Sequence, residues 1–182
     1  MTEAKIKSFK SYIAWRNWLE QNQELQEGIW LQVYKKHSGI ETVSIEQALA
    51  EALCFGWIDG QRKSYDEQSY LQKYTPRRSQ SIWSKRNIGI VEKLIQEGKM
   101  MPRGFAEFEK AKNDGRLAKA YDSHTTMQDA EDLMLELNKN QEAKAFYDAL
   151  NKSNKFAINF RLQTAKKTET RAKRLNEIIQ MM

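Results

Sequence analysis

The stretch from Ser44 to Gly60 constrains the fold more than any other. Ser44-Ile45-Glu46-Gln47 has the S-x-x-Q form of a capping box, in which the serine side chain and the glutamine side chain satisfy the first backbone amides of a helix. Ile45, Ala48, Leu49, Ala52 and Leu53 follow at helical spacing, and the alanines let this helix lie close to a neighbouring strand. Gly56 stands where the helix end calls for a left-handed backbone. Trp57-Ile58-Asp59-Gly60 then reads as a turn that leads outwards, so a tryptophan and a carboxylate are expected at the end of a helix.

The elements around it follow from periodicity. Phe9, Tyr12, Ile13, Trp15, Trp18 and Leu19 recur at helical spacing between Ser8 and Gln23, with Ser8 or Ser11 as the cap and Asn22 where the helix stops. Trp15 and Trp18 lie one turn apart on this apolar stripe, which places them in a core. Residues 28–34 form the clearest strand, with Ile29, Leu31 and Val33 on one face. Arg62–Tyr65 and Ser69–Thr75 read as two further strands around Asp66-Glu67-Gln68, closed by Pro76. Ser79 or Ser81 is expected to cap the next helix, whose buried face holds Ile82, Trp83, Ile90, Val91, Leu94 and Ile95. Pro102-Arg103-Gly104 opens another. Tyr121–Thr126 reads as a linker, and helices are expected over 128–138, 141–151 and 154–181. The reading is α+β: a small antiparallel sheet packed with helices over residues 1–120, then a helical region over 121–182.

Composition narrows the function. Cys54 is the one cysteine and sits in an apolar run, as a buried and inert thiol would. His37 and His124 lack metal-ligand spacing. Met1–Lys10 has no apolar h-region, and no apolar run approaches the roughly 20 residues that span a bilayer, so a cytoplasmic protein without membrane insertion is expected. The net charge of +6 is unevenly spread. Residues 62–120 carry 14 basic and 7 acidic side chains, residues 121–150 carry 2 and 7, and residues 151–182 carry 8 and 2. Two basic segments flank an acidic one; they could meet an anionic partner or pair with each other inside the fold.

Chemistry concentrates where the segment Tyr74–Asn87 meets the central stretch. A helix opening at Ser81 would leave amides unpaired beside Arg77 and Arg78 and the hydroxyls of Ser79, Ser81 and Ser84, which suits a phosphate or carboxylate. Without a glycine-rich loop it is no nucleotide fingerprint, and Ser81 as a simple cap is the plainer alternative. Asp59 could orient Arg77, act as a base, or only form a turn. The candidate ligand-binding set is Trp57, Asp59, Arg77, Ser81, Trp83, Ser84 and Asn87, joined by Lys35 and Arg171. No catalytic residue and no cofactor is assigned.

The A-L-C-F-G-W-I-D-G run at 52–60, the Y-T-P-R-R-S-x-S-x-W-S-x-x-N run from Tyr74 to Asn87, and the A-K-K-x-E-T-R-A-K-R run at 165–174 resemble the YdeI/OmpD-associated family of bacterial proteins, labelled bacteriocin-protection proteins. Residues 98–104 fit that family's G-x-M-x-P-x-G pattern. The resemblance extends over nearly the whole chain. It implies an α+β N-terminal part joined to a helical C-terminal part, and a role in tolerating bacteriocins or cationic antimicrobial peptides, or association with an outer-membrane porin. It brings no catalytic residue and no cofactor. The function expected is non-catalytic binding or stress protection, with a small anionic ligand or a protein as partner. The alternatives are an enzyme acting on a small phosphorylated or carboxylated substrate, and nucleic-acid binding, which the apolar residues of the basic C-terminal helix disfavour.

Overall fold

A computed structural model describes residues 4–182. The elements in chain order are β1 (Ile6–Ser8), α1 (Tyr12–Gln21), β2 (Ile29–Tyr34), a single 3-10 turn (Lys36–Ser38), α2 (Ile45–Cys54), β3 (Trp57–Ser64), β4 (Ser69–Pro76), α3 (Lys85–Gln96), α4 (Pro102–Asn113), α5 (Glu131–Leu137), α6 (Gln141–Ala149), α7 (Lys152–Gln163) and α8 (Thr168–Gln180). The fold is α+β. The chain forms two compact units, one of residues 4–81 with 87–118 and one of residues 82–86 with 119–182.

In the first unit the sheet runs β1-β2-β4-β3. It is mixed rather than purely antiparallel, because β1 pairs with β2 in parallel, Ile6 opposite Trp30. Ile29, Leu31 and Val33 are buried and stand opposite Tyr74, Gln72 and Tyr70 of β4, which defines the core face. Helix α1 starts at the Ser11 cap and stops at Asn22. Its Trp15 is fully buried, stacks on Trp18 at 5.4 Å and tilts against Tyr74 at the same distance. The capping box of α2 is present, with both reciprocal bonds between Ser44 and Gln47 at 3.2 Å. Cys54 is buried at the end of α2, and desolvation pushes its thiol up to about 11.

The Trp57–Gly60 segment is not a turn. It is the first half of β3, with Trp57 opposite Pro76 and Asp59 opposite Tyr74. The register shifts between Asp59 and Arg62, so Gly60 and Gln61 form a bulge. The bulge turns its carbonyls towards the buried Gln72, whose amide donates to Gly60 O at 2.9 Å and whose oxygen accepts from Arg62 Nε at 2.9 Å. Gln72→Ala should therefore cost about 1–3 kcal/mol by leaving the bulge carbonyl unpaired, with denaturant unfolding as the check; a change within about 0.3 kcal/mol would mean that water replaces the amide.

The second unit packs Leu133, Leu137, Ala143, Tyr147, Leu162 and Ile178 into one core. A single helix over 154–181 would hold Leu162 and Ile178 about 24 Å apart. The chain breaks instead after Gln163, where the Thr164 hydroxyl bonds back to Phe160 O at 2.7 Å, and α8 returns so that both residues reach the core. Arg171 fastens this reversal: it donates to Leu162 O at 2.9 Å and grips Asp132 with two bonds of 2.7 Å, which holds the Asp132 carboxyl below the usual carboxylate range. The entry to α5 is tied down by Asn159, which is 2% exposed. Its oxygen accepts from Ala130 N at 2.8 Å, and its amide donates to Asp129 at 3.0 Å and to Tyr147 Oη at 2.8 Å. Tyr147 donates in turn to the same Asp129 oxygen, and burial with that carboxylate raises the phenol pKa.

Candidate functional site

Two close approaches shape the candidate site in the first unit. Gly56, at φ +74°, ends α2 in a conformation that side chains disfavour. Gly104, in the first turn of α4, comes so near the end of α2 that a Cβ there would lie 2.0 Å from Cys54 O. Met101 N donates to that carbonyl at 3.1 Å. The chain leaving β4 joins them, since Arg77 N donates to Gly56 O at 2.9 Å.

Gly56, Arg77, Arg103, Ala106, Glu107 and Lys110 line a pocket of about 250 Å³ at this junction. Its charge is one-sided. Glu107 is the single carboxylate in the lining, and it already pairs with Arg116 at 2.7 Å. Arg103 donates to Gln23 O and to Glu24 at 2.9 Å, but the Glu24 side chain is 92% exposed, so this pair is weak and easily exchanged. Lys110 makes no salt bridge among the described residues. Arg77, Arg103 and Lys110 thus line one cavity together with a carboxylate that is itself paired to Arg116.

Of the residues singled out from the sequence, Arg77 lines this pocket. Trp57, Asp59, Ser81, Asn87 and Lys35 belong to the same unit, and Trp83, Ser84 and Arg171 to the other. Trp57 is fully buried and meets Trp18 edge-on at 5.9 Å, so it supports the core rather than offering a stacking face. Asp59 makes no salt bridge among the described residues and sits in the β3–β4 ladder. Lys35 donates to Glu67 O at 2.9 Å and closes the hairpin. Ser81 does not cap a helix: its hydroxyl accepts from Arg78 N at 3.0 Å within a tight turn, and α3 begins only at Lys85. Ile82, expected to be buried, is 41% exposed, whereas Trp83, Ser84 and Asn87 are buried. The opening amide of α3 is also spent, because Lys85 N donates to Tyr121 O at 2.9 Å while Ser84 bridges Tyr121 in a short parallel ladder. Arg171 is engaged by Asp132, as is Arg161 by Glu177.

Arg103 and Lys110 were missed, although the sequence marks them. Arg103, Ala106, Glu107 and Lys110 stand at i, i+3, i+4 and i+7, one face of a helix opened by Pro102.

Among the described residues no group of His, Cys, Asp and Glu could hold a metal ion, and no helix is long and apolar enough to cross a membrane. No curated protein and no solved structure is similar enough to match. Two family profiles do. Residues 127–182 match the family described as Bacteriocin-protection, YdeI or OmpD-Associated. That match holds the A-K-K-x-E-T-R-A-K-R run, while the runs at 52–60 and 74–87 and the 98–104 pattern fall in a different profile, described as Domain of unknown function (DUF8412), at residues 7–107. With more than half of its length matched, the chain belongs to the DUF8412 family, and it ends in a segment of the YdeI/OmpD-associated type.

Proposed function

We propose that this is a non-catalytic binding protein of the YdeI/OmpD-associated type, serving stress protection against bacteriocins or cationic antimicrobial peptides, and that its first unit takes a small phosphate- or carboxylate-bearing ligand. The observation that carries the ligand reading is the convergence of Arg77, Arg103 and Lys110 on one pocket whose only carboxylate is already paired. The match over 127–182 supports the protective role, through the description of that family. Nucleic-acid binding is less well supported, since Arg161 and Arg171 of the basic C-terminal segment are engaged by Glu177 and Asp132.

The test is a thermal-shift titration with inorganic phosphate and sulfate against chloride at matched ionic strength. A ligand at 100 times its Kd adds about 2.7 kcal/mol of stability. Lys110→Ala removes an exposed side chain, so its fold should be unchanged while the phosphate-dependent shift is lost. An equal shift in Lys110→Ala and Arg77→Ala, or no shift beyond chloride in the wild type, rules the pocket out as an anion site.

A further inference from the structure

The second unit carries a cavity of its own, about 330 Å³, between the 124–129 segment and the first two turns of α7. On one side it presents Asp129. One oxygen of that carboxylate is held by the Tyr147 hydroxyl and the Asn159 amide, and both partners are buried. The group is thus fixed in direction, while no hydrogen bond reaches its other oxygen among the described residues. On the other side stand Lys152 and Lys155, at i and i+3 of α7. The Lys155 ammonium is positioned by Asp148 O at 3.2 Å and by the Tyr147 ring, 5.2 Å from its centroid. Phe156 and Met127 give the cavity apolar surface.

The charges of this cavity are opposite, yet among the described residues Asp129 forms no salt bridge with either lysine; the acid–base pairs of this unit lie elsewhere. Opposite charges that share a cavity without meeting leave a gap that a dipolar molecule can bridge, its ammonium on the carboxylate and its carboxylate on the ammonium groups. A fixed carboxylate lowers the ordering cost of such binding. The volume lies at the small end of ligand pockets. From these features we propose that the second unit binds a free α-amino acid with an apolar side chain, the ammonium at Asp129, the carboxylate at Lys152 and Lys155, and the side chain against Phe156 and Met127. This site is independent of the anion pocket in the first unit.

The experiment is an NMR titration of the full chain, following the backbone amides of Ala130, Lys155 and Asn159. L-Leucine is the probe. L-Leucinamide, which lacks the carboxylate, and 4-methylpentanoate, which lacks the ammonium, are its controls. L-Leucine should give saturable shifts at these amides, with each control binding at least about tenfold more weakly. Asp129→Asn keeps an oxygen for Tyr147 and Asn159, so the fold and the shifts of buried core amides should persist while leucine binding falls by at least about tenfold. The proposal is overturned if leucine shows no saturation by about 50 mM. It is equally overturned if either control binds as well as leucine, or if Asp129→Asn binds leucine unchanged.

Discussion

Gly104→Ala is expected to lower stability by about 3 kcal/mol or more, measured by urea unfolding at neutral pH. The added Cβ would lie 2.0 Å from Cys54 O and 2.8 Å from Leu53 O. Both are backbone atoms, so no side chain can swing aside, and the end of α2 would have to leave the first turn of α4. That movement breaks the 3.1 Å bond from Met101 N to Cys54 O and opens the pocket whose lining includes Gly56 and Arg103. Gly89→Ala is the matched control. Gly89 lies inside α3, and a methyl group added there would meet nothing within 4 Å, so alanine should raise stability by about 0.5–1 kcal/mol. Similar effects at both positions would show that helix propensity alone is at work.

Asn159→Ala should cost about 3 kcal/mol. The side chain bonds Ala130 N, Asp129, Tyr147 Oη and Lys155 O, and a methyl group satisfies none of them. Ala130 is the N-cap of α5, so the loss also frees the start of a seven-residue helix. Asn159→Asp separates the contributions. It keeps an acceptor for Ala130 N but sets a second carboxylate against Asp129 in a buried place. Burial and the neighbouring charge raise the pKa of the new group in the folded state, so its protonated form is the tolerated one. The Asn159→Asp variant should therefore lose its stability as pH rises through that raised value and recover it below the ordinary carboxylate range. A pH-independent deficit would mean that geometry, not charge, governs the trio.

Local rules made much of this architecture legible. The Ser44 capping box, the Asn22 stop, the alternation of Ile29, Leu31 and Val33 and the helical stripe through Val91 and Leu94 each depend on neighbours within a few residues. What escaped depends on distant partners. Ile6–Ser8 is too short and too polar to show strand periodicity, and it becomes a strand only by pairing with Trp30–Gln32. Gly60 resembles a turn residue until Gln72, twelve positions on, supplies the amide that makes a bulge workable. No glycine or proline marks the break after Gln163; the reversal is stabilised by Arg171 gripping Asp132, a contact between residues 39 positions apart. The candidate site divides in the same way. Arg77 stands out because it sits among other polar residues at an element end, whereas Arg103 and Lys110 join it through a helix contact that rests on two glycines.

The path of the chain carries one more consequence. Residues 82–86 belong with 119–182, while 87–118 return to the first unit, so the backbone passes between the units three times. The short ladder from Ser84 to Tyr121, with Trp83 O accepting from Tyr121 N at 3.0 Å and Lys85 paired to Asp122 at 2.8 Å, is the piece that makes this so. No single scission yields both halves intact: a fragment beginning near residue 119 forfeits its complementary pentapeptide. Genetic exchange of the terminal segment between relatives would accordingly need the donor's 82–86 to travel with it, or a recipient pentapeptide already matched to the incoming Tyr121 and Asp122.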